Sequence, residues 1–191
     1  MRYAPRLIPA GSAPAGALVE PLIAAPPKSP RGEHALIPEV AWMIEGDDGV
    51  FVHVPASERA QLEVMRGDAE LTKLDGTLAN ETLDDLPGVN LATTGAYAAE
   101  ILLDRDHLAA IHEILGYAAY LAAAPRRGRF LFGGVGAGLA GMRAFVERAR
   151  REHDAAPADE RVSPVTLLVR GAAPTAVVGE LQLAALAEAG L

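Results

Sequence analysis

The chain has 191 residues, of which 50% are hydrophobic and 22% are charged, so it carries enough apolar material for one core and is far from the composition of disordered chains. Twenty-five acidic residues against 17 basic ones give a formal net charge of −8, which argues against binding to nucleic acid or to an anionic membrane surface. Cysteine is absent, which excludes disulfides, thiolate metal sites and a cysteine nucleophile.

Residues 1–34 are predicted to form an extended arm. The segment contains seven prolines, each of which fixes φ and removes a backbone donor, so we expect it to make no ladder hydrogen bonds of its own. It is nevertheless apolar, because it contains Leu7, Ile8, Leu18, Val19, Leu22 and Ile23. Three interpretations stay open: the arm covers its own domain or is disordered, it packs on a neighbouring subunit, or it is a processed leader.

The prolines of the arm also bear on the location of the protein. They interrupt every apolar run that would serve as a signal-peptide core, and the longest apolar runs of the chain fall short of the roughly 20 residues that a membrane helix needs. We therefore expect a cytoplasmic protein with no membrane partner, or a virion protein if it is encoded by a phage.

Residues 35–191 are predicted to form a single α/β (or α+β) domain that begins with antiparallel hairpins over 35–74. The runs 35–45 and 49–54 favour strands and flank a short turn-rich loop, which is typical of a hairpin. A second hairpin that turns at 66–68 is favoured slightly over a short helix at 57–65. Residues 75–96 are rich in turn-forming residues and are expected to be a long connection.

Residues 97–191 alternate between strand and helix signals, which predicts three strand–helix units. Strands are expected over 97–103, 129–132 and 165–170, and helices over 104–124, 138–152 and 175–189. Asp104 is the expected N-cap of the first helix, and Pro125 is expected to end it. Consecutive units of this kind imply parallel strands joined by right-handed crossovers.

The sequence GVGAGLAG at 134–141 follows a predicted strand and opens a predicted helix. Its G-x-G-x-x-G pattern resembles the fingerprint of flavin- and NAD-dependent oxidoreductases, in which glycines let the backbone approach a pyrophosphate at a helix N-terminus. The resemblance implies an NADP or FAD site on Gly134, Gly136, Gly138 and Gly141, with Arg170 on a phosphate. The preferred interpretation is that these glycines allow close packing of helix on sheet, since the strand at 165–170 does not end in the acidic residue that binds the ribose.

The other polar clusters form no recognisable catalytic constellation. No two of the five histidines are three or four residues apart, so no helix face is suited to metal binding. The densest cluster, DRDHLAAIHE at 104–113, is interpreted as a capped helix start, with acid–base or metal chemistry as the alternative. The paired carboxylates at 47–48 and 84–85 are interpreted as turn caps. The arginines at 126, 127 and 129 are interpreted as a rim of surface salt bridges, and the loop at 151–164 as a solvated surface.

These features favour a non-catalytic structural or interaction subunit of a larger bacterial or phage assembly. The expected partners are other protein subunits in a homo- or hetero-oligomer, and no cofactor or metal is expected. On this hypothesis the arm packs on a neighbour, so deleting residues 1–33 would dissolve the assembly and leave the fold intact. The alternative is a small nucleotide-binding protein or oxidoreductase component that binds NADP or FAD through residues 134–141.

Overall fold

Two antiparallel sheets carry the fold. The computed structural model describes residues 2–26, 32–46, 50–61, 80–83, 85–86, 88–92 and 97–189. Within these residues, ten strands pair into a four-stranded and a six-stranded sheet, and every strand pair is antiparallel. The predicted hairpin at 66–68 lies outside the described residues.

The smaller sheet comes from the N-terminal part of the chain. It consists of β1 (Arg2–Ile8), β2 (Val19–Pro21), β3 (Glu39–Glu45) and β4 (Phe51–His53). Strand β3 is central: β1 pairs along one edge, whereas β2 and β4 share the other edge. The antiparallel pairing of β3 with β4 confirms the first predicted hairpin.

Strand β1 corrects the expected structure of the arm. It pairs with β3 from Arg2 to Ile8, so this part of the arm does make ladder hydrogen bonds. Because β1 lies at the sheet edge, it tolerates Pro5. The N–H of Leu7 donates to Glu100 and therefore points away from β3. Because backbone orientation repeats every two residues in a strand, the nitrogen of Pro5 also faces the outer edge. Its missing N–H therefore costs no hydrogen bond to β3.

The larger sheet comes from the rest of the chain. Its strands are β5 (Asn80–Thr82), β6 (Val89–Ala92), β7 (Ala119–Ala123), β8 (Phe130–Gly134), β9 (Leu167–Arg170) and β10 (Ala173–Val177). Their order is β10-β9-β7-β8-β6-β5. The predicted parallel strand–helix units are therefore wrong, and β5 and β6 lie within the segment that was expected to be a connection.

Within the part of the chain that the structure describes, three α-helices flank the larger sheet: α1 (Arg105–Leu115), α2 (Gly138–Ala155) and α3 (Glu180–Glu188). Helix α2 confirms the helix predicted at 138–152. The helix predicted at 104–124 instead stops at Leu115, where Gly116 takes a left-handed φ of 71°, and β7 follows. The strand predicted at 97–103 is a 3-10 helix, Ala98–Leu103, and β10 occupies the first part of the helix predicted at 175–189.

The misplaced boundary at β7 has a physical cause. Its sequence AYLAA favours a helix by intrinsic propensity, but the strand is central and buried along its whole length. A hairpin joins β7 to β8 directly, and this short antiparallel connection replaces the predicted crossover helix.

The core lies on both faces of the larger sheet. Alternate residues of β7 point to opposite sides: Tyr120 and Ala122 join the layer of α1, the 3-10 helix and the smaller sheet, whereas Leu121 joins the layer of α2 and α3. The side chains that α2 and α3 bury against the sheet are Met142, Phe145, Val146, Ala149, Leu183 and Leu186.

Candidate anion-binding pocket

A pocket of about 530 Å³ opens beside the C-terminal half of α2. Side chains from α2, from the turn between β7 and β8, and from the segment after α2 line it. We call it the arginine pocket, because four of its lining residues are arginines; the lining consists of Arg126, Arg129, Arg148, Arg151, Glu152, Ala155, Ala156, Pro157 and Glu160.

Glu152 organises the inner wall of the arginine pocket. Its side chain is only 12% exposed, and its two oxygens accept hydrogen bonds from the Nε atoms of Arg129, at 3.0 Å, and Arg148, at 2.7 Å. Arg148 precedes Glu152 by four residues, which places both on one face of α2. Glu152 therefore fixes one arginine from the helix and one from the strand side.

The turn between β7 and β8 positions Arg126 at the rim. Backbone hydrogen bonds hold this turn against the segment after α2, from Arg127 N–H to the Glu160 carbonyl at 2.8 Å and from Val162 N–H to the Pro125 carbonyl at 3.1 Å. The Arg126 side chain pairs with Glu160, with Nη1 3.3 Å from Oε2. Two chain segments that are distant in sequence thus form one wall.

Arg151 supplies the free cation of the pocket. It is exposed on α2, three residues after Arg148, and it makes no ion pair with any residue that the structure describes. Four guanidinium groups against two carboxylates leave the lining with a formal charge of +2, in a chain whose formal net charge is −8. The pocket is a local positive site on an acidic protein.

The partners of Arg148 hold its guanidinium in the charged form. The hydrogen bond to Glu152, together with the charges of Glu152 and Asp85, raises the pKa of Arg148 above its usual value. Arginine forks match the geometry of carboxylate and phosphate oxygens. The arrangement is therefore suited to holding an anion rather than to transferring protons.

The predicted glycine loop has a packing explanation. The ring of Tyr117 lies against Gly134 and Gly136, and a Cβ atom on either glycine would overlap with it. Gly138 has a φ of +68°, and a Cβ on Gly141 would lie 2.6 Å from the Cβ of Ala137. Each glycine thus has a local steric or backbone reason to be glycine.

The structure places Arg170 and Gly134 at the same end of the larger sheet. Gly134 on β8 pairs with Tyr120 on β7, whose other neighbour, Val169, precedes Arg170 on β9. Two strand spacings, or about 10 Å, separate the two strands. The nucleotide-binding alternative stays a prediction, for which the ring of Tyr117 across Gly134 and Gly136 is an obstacle.

The apolar residues of the arm lie within the chain's own core. Four of them are buried, namely Leu7, Ile8, Leu18 and Ile23, and two are partly buried, namely Val19 and Leu22. Leu7 and Ile23 belong to the layer between the two sheets. These side chains are satisfied without a neighbouring subunit.

The histidine cluster at 104–113 serves the helix start as expected. Asp104 caps α1 by accepting hydrogen bonds from the N–H groups of Asp106 and His107, and its Oδ2 lies 2.8 Å from Nδ1 of His107. His112 bonds to the backbone carbonyl of Tyr117 at the other end of α1. The described part of the chain brings together no group of three or more His, Cys, Asp or Glu side chains suited to a metal ion.

No protein-family model, curated protein or solved structure matches the chain. Among the described helices, none combines the length and the apolar character that crossing a membrane requires. The geometry of the arginine pocket is therefore the basis for a functional proposal.

Sequence reasoning named three of the four arginines of this pocket but did not predict that they meet. It treated the arginines at 126 and 129 as a rim and the segment from 151 onward as solvated surface, and it overlooked Arg148. The available signal was the spacing of Arg148, Arg151 and Glu152, which share one side of the predicted helix. Their meeting with Arg126 and Arg129 depends on the antiparallel β7–β8 hairpin, which was predicted as a helix followed by a strand.

Proposed function

We propose that the protein is a binding protein that recognises an anionic group in the arginine pocket. The observation that carries the proposal is the exposed guanidinium of Arg151, which pairs with no described residue, beside a pocket whose other arginines form ion pairs. Preorganised donors lose little side-chain freedom when a ligand binds, which favours affinity.

The surroundings of the pocket agree with a ligand of limited size. A volume of about 530 Å³ lies within the range of small-molecule sites, and Ala155, Ala156 and Pro157 supply apolar surface beside the cations. The formal net charge of −8 disfavours a long polyanion such as nucleic acid. A single anionic group on a small molecule or a protein side chain fits better.

This proposal keeps the interaction role predicted from the sequence and moves it from the arm to the arginine pocket. The arm's apolar side chains are buried in their own chain, so they no longer give a reason to expect a neighbouring subunit. Membership of a bacterial or phage assembly, with protein partners and a cytoplasmic location, remains a prediction from the sequence.

The test is a titration with inorganic phosphate and with sulfate, followed by nuclear magnetic resonance shifts of the arginine side chains. Arg151→Gln should weaken binding about tenfold, the value of one charge-assisted hydrogen bond, and leave the fold unchanged because Arg151 has no ion-pair partner among the described residues. Arg105→Gln is the matched control, since it removes one exposed arginine of α1, outside the pocket. Equal weakening by both variants, or no binding by the unmodified protein at millimolar anion, would reject the proposal.

A further inference from the structure

Asp85 pairs with one nitrogen of Arg148, an arginine that lines the arginine pocket, although Asp85 itself is not a lining residue. Its Oδ2 lies 2.5 Å from Nη1 of Arg148, while the Nε of the same arginine is taken by Glu152. The two carboxylates differ in exposure, because the Asp85 side chain is 62% exposed and that of Glu152 is 12% exposed. Asp85 is therefore the exchangeable partner of Arg148, and Glu152 is the fixed one.

The position of Asp85 in the chain allows this exchange. It lies between β5 and β6, where Leu86 N–H donates to the Leu83 carbonyl at 3.0 Å and Val89 N–H donates to the Leu86 carbonyl at 3.1 Å. These bonds form the local turn, and none of them uses the Asp85 side chain. The carboxylate can leave Arg148 without breaking the turn.

We infer that the ligand is a phosphomonoester dianion that displaces Asp85 from Arg148. The inference rests on the proposed function, since it assumes that the pocket binds an anion. Asp85 acts as an internal competitor that weakens every displacing anion by the same factor, so that at millimolar concentration only the more strongly bound phosphomonoester, and not a carboxylate, occupies the pocket.

The selectivity follows from comparing the two anions with Asp85 itself. A tethered group acts at an effective concentration in the millimolar range, so a free carboxylate with the same charge and the same two oxygens gains little by replacing it. A phosphomonoester carries a charge of about −1.5 to −2 at neutral pH and three acceptor oxygens. It can bind Nη1 of Arg148 and the free guanidinium of Arg151 together.

The spacing of the two cations supports this bridging. Arg148 and Arg151 are three residues apart on α2, so their Cβ atoms lie about 5–6 Å apart on one face of the helix. Glu160, which pairs with Arg126, has a side chain that is 42% exposed and is the second carboxylate that a bulkier ligand would displace.

The experiment compares two matched probes, N-acetyl-phosphoserine-methylamide and N-acetyl-glutamate-methylamide, by isothermal titration calorimetry on the full chain. We expect the phosphorylated probe to bind at least about tenfold more tightly at pH 7.5. Its affinity should fall between pH 7.5 and 5, because the phosphate takes up its second proton near pH 6, whereas the affinity of the glutamate probe should change less.

Asp85→Asn tests the competition directly. It should tighten binding of both probes by the same factor, about three- to tenfold, because neither probe then has to displace a tethered carboxylate. Asp159→Asn is the charge-matched control, since Asp159 is exposed near the pocket but forms no ion pair with a described arginine. Asp159→Asn should leave both affinities unchanged.

The outcomes separate the inference from the proposed function. Binding that Arg151→Gln abolishes but Asp85→Asn does not change would overturn the inference and leave the anion site standing. A glutamate probe that binds as tightly as the phosphorylated one would also overturn it. Absence of binding by either probe and by inorganic phosphate would remove both proposals.

A third probe, glycerol phosphate, identifies the source of the phosphoryl group. Equal or tighter binding of glycerol phosphate supports a small phosphate ester as the ligand, whereas tighter binding of the phosphoserine probe supports a phosphorylated protein side chain. Both results support selectivity for a phosphomonoester.

Discussion

Glu100 and Arg6 form an almost completely buried ion pair, in which Oε1 of the carboxylate lies 3.2 Å from Nε of the guanidinium. The same carboxylate oxygen accepts a hydrogen bond from the Leu7 N–H at 3.4 Å. The guanidinium also lies between two aromatic rings, with its Cζ 5.0 Å from the centroid of Phe51 and 4.4 Å from that of Tyr97. This contact joins the smaller sheet to the 3-10 helix that covers the larger one.

Breaking this pair from one side should be strongly destabilising. Arg6→Met leaves the Glu100 carboxylate buried without its cation, and such losses cost about 3–5 kcal/mol in the free energy of unfolding. The measurement is equilibrium unfolding in urea. A double variant, Arg6→Met with Glu100→Leu, should recover much of this loss, because no uncompensated charge remains buried. Additive losses in the two single variants would contradict a coupled pair.

The pair also predicts a pH dependence. Burial raises the pKa of the Glu100 carboxyl above its usual value of 4.5, and the charge of Arg6 offsets part of this rise. The folded chain therefore keeps this proton to a higher pH than the unfolded chain does. Its contribution to stability is fully present below pH 4.5 and is lost as the pH rises through the folded-state pKa.

Unfolding measured from pH 4 to 8 tests this dependence. The difference in free energy of unfolding between Glu100→Gln and the unmodified chain isolates the titration of this one carboxyl. We expect the unmodified chain to lose stability relative to Glu100→Gln with rising pH. A difference that stays constant or grows in the opposite direction would show that Arg6, and not burial, sets the pKa.

The sequence was sufficient to predict elements whose signals are local. The hairpin of β3 and β4 and helix α2 have periodicity and turn residues that belong to their own segments, and both were predicted. Strand β7 was not, because Ala-rich sequence favours a helix unless neighbouring strands supply hydrogen bonds on both sides. The antiparallel order depends on such long-range pairings, which periodicity does not encode.

The ion pair of Arg6 with Glu100 shows that long-range side-chain contacts, like long-range strand pairings, are not encoded by local sequence patterns. The two residues are 94 positions apart and each looks like an ordinary surface residue in its segment. Their burial follows from the docking of β1 against the 3-10 helix, which was predicted as a strand. The arginine pocket is a similar case, since Arg126 meets Arg148 only after the β7–β8 hairpin has formed.

The burial of the arm predicts that its apolar side chains stabilise the folded monomer. Leu7 is 1% exposed, so Leu7→Ala should lower the free energy of unfolding by about 2–5 kcal/mol. Leu181→Ala makes the same chemical change at a residue that is 71% exposed, and its effect should stay within about 0.5 kcal/mol. Chemical denaturation followed by the fluorescence of Trp42 measures both.

Deletion of residues 1–33 should accordingly unfold or severely destabilise the chain, because it removes β1 and β2 and leaves β3 paired only with β4 in the described sheet. This expectation reverses the one drawn from the sequence, in which the arm was dispensable for the fold. If the deleted chain keeps its circular dichroism spectrum and its unfolding midpoint, the arm is a separate element that the fold does not need.

The contact of Tyr117 with the glycine loop predicts a specific coupling. Gly136→Ala places a methyl group where the phenol oxygen of Tyr117 lies, so the ring must move. Because Tyr117 is 40% exposed and free to shift, the cost should be about 1–3 kcal/mol in the free energy of unfolding. In the Tyr117→Ala background the same change should cost no more than about 0.5 kcal/mol.

Gly138→Ala is the matched control for this cycle. A Cβ at Gly138 meets nothing within 4 Å, but its φ of +68° with a ψ of 176° is a conformation open essentially to glycine alone, so the substitution is strained by its own backbone. Its cost, about 1–3 kcal/mol, should therefore be the same with and without Tyr117. A double-mutant cycle with coupling at Gly136 and none at Gly138 would show that the ring explains the first glycine and backbone conformation the second. Equal coupling at both positions, or none at Gly136, would show that the Tyr117 ring does not explain the glycine at 136. A ligand against this loop would then be the better explanation.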